Sequence, residues 1–241
     1  MCGRFALATI PKPLFAAFGL PLPDLPPRYN IAPGQSILSI LRPPEGGSPV
    51  ASVLDWGFLP AWSQRRQPLI NARVETVNSL ASFRGAFRHR RCLIPASGFY
   101  EWKREGRSKR PFYFTPADQE TVLVLAGLWE DWNDGQEYRR TGVILTTPAN
   151  ADMASVHSRM PLIMEEANWE EWLGQEGAGV PSRLLRPAAE GFLSGREVSS
   201  RVNRVENEGA DCLASPEGNA LPTGDPGDGE KRGQGGQATL F

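Results

Sequence analysis

The sequence predicts an α+β fold whose core is a mostly antiparallel, barrel-like β-sheet flanked by short helices. Many short segments rich in β-branched, leucine and aromatic residues are separated by Gly, Pro and polar turns, as in proteins with β-sheet cores. Only a few short segments have helical periodicity, and no run of about 18 apolar residues is present that could span a membrane. Apolar residues make up 40% of the 241-residue chain, which suits a globular core.

The first part of the chain is predicted to alternate strands with two helices. The segments 4–9 ("RFALAT"), 36–42 ("SILSILR") and 51–59 ("ASVLDWGFL") are typical of short strands. Residues 11–20 form a short helix in this prediction, because proline lies near its start and glycine at its end. Residues 79–90 ("SLASFRGAFRHR") place apolar residues at helical spacing with basic residues on the opposite face.

The second part is predicted to be rich in strands until about residue 150. Glycine, proline and polar turns separate four apolar segments, which are 92–103, 110–116, 121–132 and 139–149. Two amphipathic helices and a last strand are then predicted at 165–174, 179–187 and 196–202.

The composition changes at about Ser215. The stretch "SPEGNALPTGDPGDGEKRGQGG" is rich in Gly, Pro and charged residues and has almost no large apolar side chains. Such a segment buries too little surface to offset its ordering entropy, so it is predicted to be a disordered linker. We therefore expect a domain at 1–214 and a tail at 215–241.

Basic residues are concentrated in the first half of the chain. Residues 1–114 contain 16 Lys and Arg against 6 Asp and Glu, and residues 115–241 contain 10 against 21. The stretch from Arg65 to Arg110 has 12 basic and 3 acidic residues. This asymmetry favours either a positive face for a polyanion or surface charges that mix on folding. Four aromatic residues near this stretch could stack on bases or pack in the core: Trp56, Trp62, Tyr100 and Trp102.

The cysteines and the N-terminus indicate the compartment. Cys2, Cys92 and Cys212 lie far apart without a CxxC pair, so we expect neither disulfides nor a metal site. The N-terminus also lacks the features of a signal peptide. We expect a cytoplasmic protein that needs no cofactor and, since nothing suggests assembly, acts as a monomer.

Cys2 stands directly after the initiator methionine, where removal of Met1 would give it a free α-amine beside its thiol. The ordinary pKa values are about 8 for the amine and about 8.5 for the thiol, so part of the amine is nucleophilic at neutral pH. Such an aminothiol traps an aldehyde, because the amine forms an imine and the thiol then closes a thiazolidine ring. The alternative is a small apolar residue that begins a strand. Position alone leaves both interpretations open.

Further polar residues could serve such chemistry. His157, in "SVHSRMP", can give or take a proton near neutrality, or can be a structural histidine in a turn. Glu101 lies between two aromatic residues in a predicted strand, and it needs a partner or a function only if its face is buried. Asn71, Arg73 and Glu75 alternate in "NARVET", so they would share one face of an extended segment, as a site wall or a solvated surface.

Eight segments together carry a resemblance to a known family. In order, they are "MCGRF", "RYNIAPGQ", "WGFLPAW", "NARVET", "RCLIPASGFYEWK", "AGLWE", "TTPAN" and "HSRMP". The chain resembles the SRAP family, the SOS-response-associated peptidases, whose members shield abasic sites in DNA. The resemblance covers about residues 2–214 and is weakest around 175–196. Ser158 stands where the family more often has an acidic residue.

The resemblance implies a covalent mechanism. Family members lose Met1 and crosslink Cys2 to the ring-opened aldehyde of an abasic site in single-stranded DNA or at a stalled junction, as a thiazolidine. By matching motifs, Asn71 would lie beside this cysteine and position the sugar. Glu101 would orient the amine and move protons. His157 would assist opening of the deoxyribose ring and reversal of the crosslink.

The resemblance also implies how DNA is held. Arg4, Arg73 and Arg159 would bind the phosphates that flank the lesion. Trp62 and the loop that carries Pro33 would support a kinked strand. The basic stretch would add salt-sensitive affinity for the backbone.

Two other functions stay open at this stage. The family name reflects a self-processing cysteine peptidase role, in which Cys2, His157 and Glu101 would serve, and a lyase-type reaction at the lesion would use the same groups. A non-covalent single-strand binder would need only the basic, aromatic surface.

The end of the tail suggests a partner. "QATLF" looks like the Gln-x-x-Leu-Phe peptide by which bacterial proteins dock on the replication sliding clamp, with Gln237 making polar contacts and Leu240 and Phe241 filling an apolar pocket. The linker before it would reach on the order of 25 Å as a flexible coil. We therefore expect a nucleoid-associated bacterial protein.

Overall fold

The computed structural model describes residues 2–64, 67–174, 179 and 182–216, within which the chain is mostly β-structure. The strands are β1 (Phe5–Leu7), β2 (Arg28–Ile31), β3 (Ser36–Leu41), β4 (Val50–Trp56), β5 (Asn71–Arg73), β6 (Arg91–Ala96), β7 (Gly98–Glu105), β8 (Ser108–Pro116), β9 (Leu123–Asn133), β10 (Tyr138–Pro148), β11 (Arg159–Pro161) and β12 (Leu193–Glu197). The helices are α1 (Lys12–Ala17), α2 (Arg84–His89) and α3 (Trp169–Leu173). Short 3-10 turns lie at Glu166–Asn168, Ser182–Leu184, Ser200–Asn203 and Ala210–Leu213.

Five strands close into a barrel in the order β4, β3, β6, β9, β10. Every pairing from β4 round to β10 is antiparallel. The ring closes by a parallel pairing in which Thr141 of β10 lies opposite Asp55 of β4. Beyond this contact β10 pairs in parallel with β5, where Ile144 lies opposite Asn71. The end of β10 also pairs with β11.

A second sheet of five strands runs in the order β12, β8, β7, β1, β2, and all its pairings are antiparallel. Its centre is β7, which holds β1 through the pair Phe5 and Phe99. The predicted α+β fold with a mostly antiparallel, barrel-like sheet is therefore confirmed, and the parallel pairings of β10 are its exceptions.

A single hydrophobic cluster joins the barrel to the second sheet. Phe5 of β1 meets Trp56 of β4 edge to face, with ring centroids 5.3 Å apart. Phe99 and Phe114 stack at 5.5 Å within the second sheet. Burying each such side chain stabilises the fold by roughly 1.5–3 kcal/mol. These contacts hold β1, and so fix the position of Cys2 just before it.

One glycine is required where β7 begins. A side chain at Gly98 would collide with the ring of Tyr113 and with the carbonyl of Phe114 on β8. The absence of a side chain lets β7 and β8 approach closely along the register that continues to Glu101, opposite Phe112. Gly98 thereby helps to place the strand that carries the candidate carboxylate.

Several predicted elements are shorter than expected. The helix expected at 79–90 is helical only at Arg84–His89, because the residues before it form turns. An α-helix was expected at 179–187, but the described residues of this segment contain only a 3-10 turn, at Ser182–Leu184. Residues 180–181 lie outside the described part of the chain. The strand expected at 196–202 ends at Glu197, since Ser199 accepts the backbone N–H of Arg201 and starts a 3-10 turn.

The C-terminal part of the described chain returns to the second sheet. Ser199 donates its backbone N–H to the carbonyl of Ala214. The predicted boundary at residue 214 stays a prediction, and most of the predicted tail lies outside the described residues. No helix in the described part of the chain is long and apolar enough to cross a membrane.

Candidate functional site

Cys2 lies at the junction of the two sheets, three residues before Phe5, where β1 begins. Its side chain is fully buried. The neighbouring backbone is fixed because the carbonyl of Arg4 accepts the backbone N–H of Tyr100 at 2.9 Å. Burial first, and then the negative charge of Glu101, raise the pKa of the Cys2 thiol well above its ordinary value. The thiol is therefore neutral at physiological pH, with a carboxylate close enough to influence it.

Asn71 holds Cys2 from the barrel side. Its Nδ2 donates to the Cys2 carbonyl at 2.9 Å, from the first position of β5. The Oδ1 atom of Asn71 is buried and has no hydrogen-bond partner among the described residues. A buried amide oxygen without a partner costs about 1–3 kcal/mol. Such an acceptor is available to a hydroxyl or amine donor beside Cys2.

Glu101 approaches the same point from β7. The sequence did not decide whether Glu101 faces the interior or the solvent. Its side chain is only 4% exposed, so it faces the interior. Glu101 Oε1 lies 3.9 Å from Nδ1 of His157. The carboxylate and the imidazole are thus neighbours, as the sequence interpretation required.

His157 is positioned by the turn that connects β10 to β11. Its backbone N–H donates to the carbonyl of Met153 at 3.0 Å, and its Nδ1 lies 3.0 Å from both the backbone N–H and the backbone carbonyl of Arg159. The ring is partly exposed, so it can exchange a proton with a bound molecule.

Glu101 and His157 open onto a cleft of about 420 Å³, whereas the buried Cys2 and its partner Asn71 are not among the residues that line it. It is lined by Arg4, Glu101, Trp102, Arg104, Lys109, His157 and Asn203. Three cationic side chains against one carboxylate give the cleft a positive balance, which suits a phosphate-bearing ligand.

Arg4 lies at one side of this cleft. Its Nη1 donates to Oδ1 of Asn30 at 2.7 Å and to the carbonyl of Val202 at 2.8 Å. The guanidinium also lies over the ring of Trp102, 5.8 Å from its centroid. Burial lowers the pKa of Arg4. The Arg4 side chain is therefore held rigidly at the cleft.

Asn30 is a site residue that the sequence interpretation missed. It is fully buried, and its Nδ2 donates to three carbonyls, those of Val202, Arg204 and Asn207, at 3.3, 2.9 and 2.7 Å. Asn30 therefore ties residues 202–207 to Arg4. Nothing in its spacing marks it, because all its partners are distant in sequence.

A neighbouring missed residue closes the cleft on the same side. Oδ1 of Asn203 accepts the indole N–H of Trp102 at 2.7 Å. This bond places the aromatic face of Trp102 beside Arg4 in the wall of the cleft.

The predicted phosphate ligand Arg159 is paired with an acid in this structure. Its guanidinium makes a bidentate contact with the carboxylate of Glu75, one bond being 3.0 Å long, and donates to the carbonyl of Thr146 at 2.6 Å. The hydrogen bond from Arg159 lowers the pKa of Glu75. Arg73, two positions before Glu75, is exposed on β5.

The other predicted DNA contacts lie on exposed turns. Trp62 is 67% exposed, so of the two roles considered for it, base stacking and core packing, core packing is wrong. Trp56, in contrast, is fully buried and packs in the core. Pro33 is exposed in the turn after β2, where Gly34 donates to the carbonyl of Trp56. Neither Trp62 nor Pro33 lines the cleft around Glu101. The residues predicted to bind the clamp, Gln237, Leu240 and Phe241, lie outside the described part of the chain.

Comparison with known proteins identifies the family. The model of the SOS response associated peptidase (SRAP) family matches residues 1–205. The chain is 34% identical to the abasic site processing protein YoaM of Bacillus subtilis, over 88% of this chain and 97% of that protein. It is 32% identical to the abasic site processing protein YedK of Escherichia coli, over 88% and 99%.

Solved structures agree on the fold. A protein from Bacteroides thetaiotaomicron matches with a TM-score of 0.74 at 21% identity, over 89% of this chain and 99% of that one. A phage-related protein from Bordetella bronchiseptica matches with a TM-score of 0.65 at 27% identity, over 83% and 95%. With a family match that covers most of its length, the chain belongs to the SOS response associated peptidase (SRAP) family.

Proposed function

We propose that this protein recognises abasic sites in single-stranded DNA and crosslinks to them through Cys2 after removal of Met1, which shields the lesion during replication. Relatives named abasic site processing proteins support the lesion class. The observation that carries the proposal is the grouping around Cys2. Its buried thiol lies under the influence of Glu101, and its carbonyl is held by Asn71.

The reaction joins the aminothiol to the open form of the sugar. The α-amine of Cys2 adds to the C1′ aldehyde, and the resulting carbinolamine loses water to give an imine. The thiol then adds to the imine carbon, its proton passes to the nitrogen, and the five-membered thiazolidine closes. One water leaves overall, and no oxidant, reductant or cofactor is needed.

Glu101 is suited to move the protons of these steps. The Cys2 thiol is neutral because of its raised pKa, so its addition to the imine needs a group that accepts the thiol proton. Glu101 is the buried carboxylate whose charge acts on that thiol. In its acid form it would also assist loss of water from the carbinolamine.

His157 is suited to open the sugar. An abasic deoxyribose is mostly a closed hemiacetal, and its opening moves a proton from the C1′ hydroxyl to the ring oxygen. The imidazole of His157 would donate a proton to that oxygen, while the backbone of Arg159 holds its Nδ1 edge in place. The buried Oδ1 of Asn71 would accept a hydrogen bond from the amine or the sugar.

The strand would be held by the positive cleft and the exposed turns around it. Arg4 would bind a flanking phosphate. Arg159 would exchange Glu75 for another phosphate, with exposed Arg73 beside it. Trp62 and the turn that carries Pro33 would support unstacked bases.

A denaturing gel tests the proposal. Protein is incubated with single-stranded DNA that carries one abasic site, beside Cys2→Ala, the control Cys212→Ala and a form that retains Met1. We expect a shifted band that survives denaturation for wild type and Cys212→Ala only. A band that persists in Cys2→Ala, or no band for wild type, would reject the mechanism.

Parallel assays of peptide cleavage and DNA binding, together with this gel, separate the rival functions. A cysteine peptidase requires a thiolate, which a raised thiol pKa disfavours. Cleavage of a peptide substrate without a DNA crosslink would favour the peptidase. Binding to DNA that is salt-sensitive but not covalent would favour the plain binder. A shortened DNA strand would reveal a lyase-type reaction.

We also propose that "QATLF" docks on the replication sliding clamp, on the strength of the sequence pattern alone. Full-length protein and a variant that lacks residues 237–241 would be compared in a pull-down with clamp. We expect clamp only with full-length protein, and equal recovery would reject docking.

A further inference from the structure

A second cavity, of about 260 Å³, lies between the β3–β4 hairpin, the end of α2 and the end of α3. It is lined by Arg42, Pro43, Pro44, Gly46, Arg88, His89, Arg90, Arg91, Leu173 and Gly174. It shares no residue with the cleft around Glu101. Four arginines and a histidine therefore converge where the proposed lesion chemistry has no role for them.

The positive charge of this cavity is only partly balanced. Arg42 pairs with Glu170 at 3.2 Å, and Arg90 pairs with Glu130 at 2.6 Å. For Arg88 and His89 the described residues provide no ion pair, and both side chains are exposed. An anion would therefore meet the unneutralised guanidinium of Arg88 at the mouth of the cavity.

The floor of the cavity is a buried arginine. Arg91 is 3% exposed, and its Nε and Nη1 are used by the carbonyls of Trp172, Phe87 and Arg88. Its Nη2 has no partner in the described part of the chain. Three backbone carbonyls therefore satisfy most of this buried guanidinium, and Nη2 is the group that is left for an anion.

Gly174 makes room for this arrangement. Its carbonyl accepts Nε of Arg42 at 2.8 Å, and its φ of +59° is one that side chains rarely allow. A Cβ at this position would collide with Nη2 of Arg91. The glycine thus lets the guanidinium groups of Arg42 and Arg91 approach the cavity from two sides.

We propose that this cavity binds a backbone phosphate of single-stranded DNA, as a second anchoring point outside the lesion cleft. Planar guanidinium forks match phosphate oxygens, and a concave site favours a compact anion. The inference rests on the proposed function in one respect, which is that the phosphate belongs to the DNA strand bound at the lesion cleft. A strand that fills the lesion cleft and continues along the protein supplies that phosphate.

Arg88→Gln is the sharpest variant, because the Arg88 side chain makes no hydrogen bond or ion pair among the described residues, so its loss leaves the fold intact. Lys12→Gln, an exposed single-charge change outside both cavities, is the control. Binding of undamaged single strands of about 6 and about 30 nucleotides is measured by fluorescence anisotropy across a salt series.

We expect Arg88→Gln to weaken binding of the long strand by roughly three- to tenfold at low salt and to reduce the slope of log K against log salt by about 0.7. The short strand and Lys12→Gln should be unaffected. Equal binding of the long strand by wild type and Arg88→Gln would overturn the proposal. The proposal would also be overturned if Arg88 were needed to bind free dCMP while the effect of Arg88→Gln on DNA binding were the same for short and long strands.

Crosslinking to an abasic site in a short strand separates the two proposals. If Arg88→Gln crosslinks normally there while its binding of long strands equals that of wild type, the second anchor is wrong and the lesion chemistry stands. If no strand is crosslinked but Arg88→Gln still weakens binding of the long strand, the lesion chemistry fails and the anchor stands.

Discussion

Asn30 offers the most quantitative test of how the site is built. Asn30→Ala removes the acceptor of Arg4 and the donor to three carbonyls in residues 202–207. Each of these hydrogen bonds contributes roughly 1 kcal/mol, and the loss of some of them leaves a buried partner unsatisfied. The free energy of unfolding should therefore fall by about 2–4 kcal/mol. For a domain of this size that corresponds to a decrease in Tm of roughly 5–15 °C.

Urea and thermal denaturation followed by circular dichroism would measure this loss. Asn203→Ala is the matched control, because it removes one hydrogen bond, from Trp102, and should cost less than about 1.5 kcal/mol. Asn30→Asp should be nearly as harmful as Asn30→Ala, since a carboxylate cannot donate to the three carbonyls. If Asn30→Ala is no less stable than Asn203→Ala, Asn30 does not tie the C-terminal segment to Arg4.

Three further predictions concern the proposed reaction and DNA binding. Glu101→Gln should slow crosslinking on a denaturing gel by about 100-fold or more, because the group that takes the Cys2 proton is lost; an unchanged rate would contradict that role. Trp62→Ala should weaken binding of undamaged single strands by about 1–3 kcal/mol in anisotropy, with no change in Tm; full affinity would remove Trp62 from the interface. Glu75→Gln should free Arg159 for phosphate and tighten that binding roughly two- to fivefold; weaker binding would show that Glu75 is needed to orient the arginine.

The strands of the fold could be predicted because their signal is local. Alternating or continuous apolar segments bounded by Gly and Pro mark β9 and β10 almost to their ends. The closure of the barrel could not be predicted, because it depends on a parallel pairing of Thr141 with Asp55, which are far apart in sequence. The helix expected at 79–90 was overestimated at its start, since residues 79–83 form turns and a bend and α2 begins only at Arg84.

The candidate site divides in the same way. Cys2 and His157 carry unusual chemistry at unusual positions, so their types alone drew attention. The burial of Glu101 required the pairing of β7 with its neighbours, which no local pattern contains. Asn30 was missed because Arg4 lies 26 residues before it and the carbonyls to which its amide donates begin 172 residues after it. Arg159 was expected to be available to phosphate, whereas Glu75, 84 residues before it, holds it in a bidentate pair.

Mass spectrometry can identify directly the covalent bond proposed between Cys2 and the abasic sugar. The protein is reacted with an abasic oligonucleotide, digested with nuclease and protease without a reducing agent, and analysed by tandem mass spectrometry. We expect an N-terminal peptide that lacks Met1 and carries the sugar remnant on Cys2, at the summed mass minus one water. Retention of Met1 in the crosslinked peptide, or an adduct seen only after borohydride reduction, would contradict it.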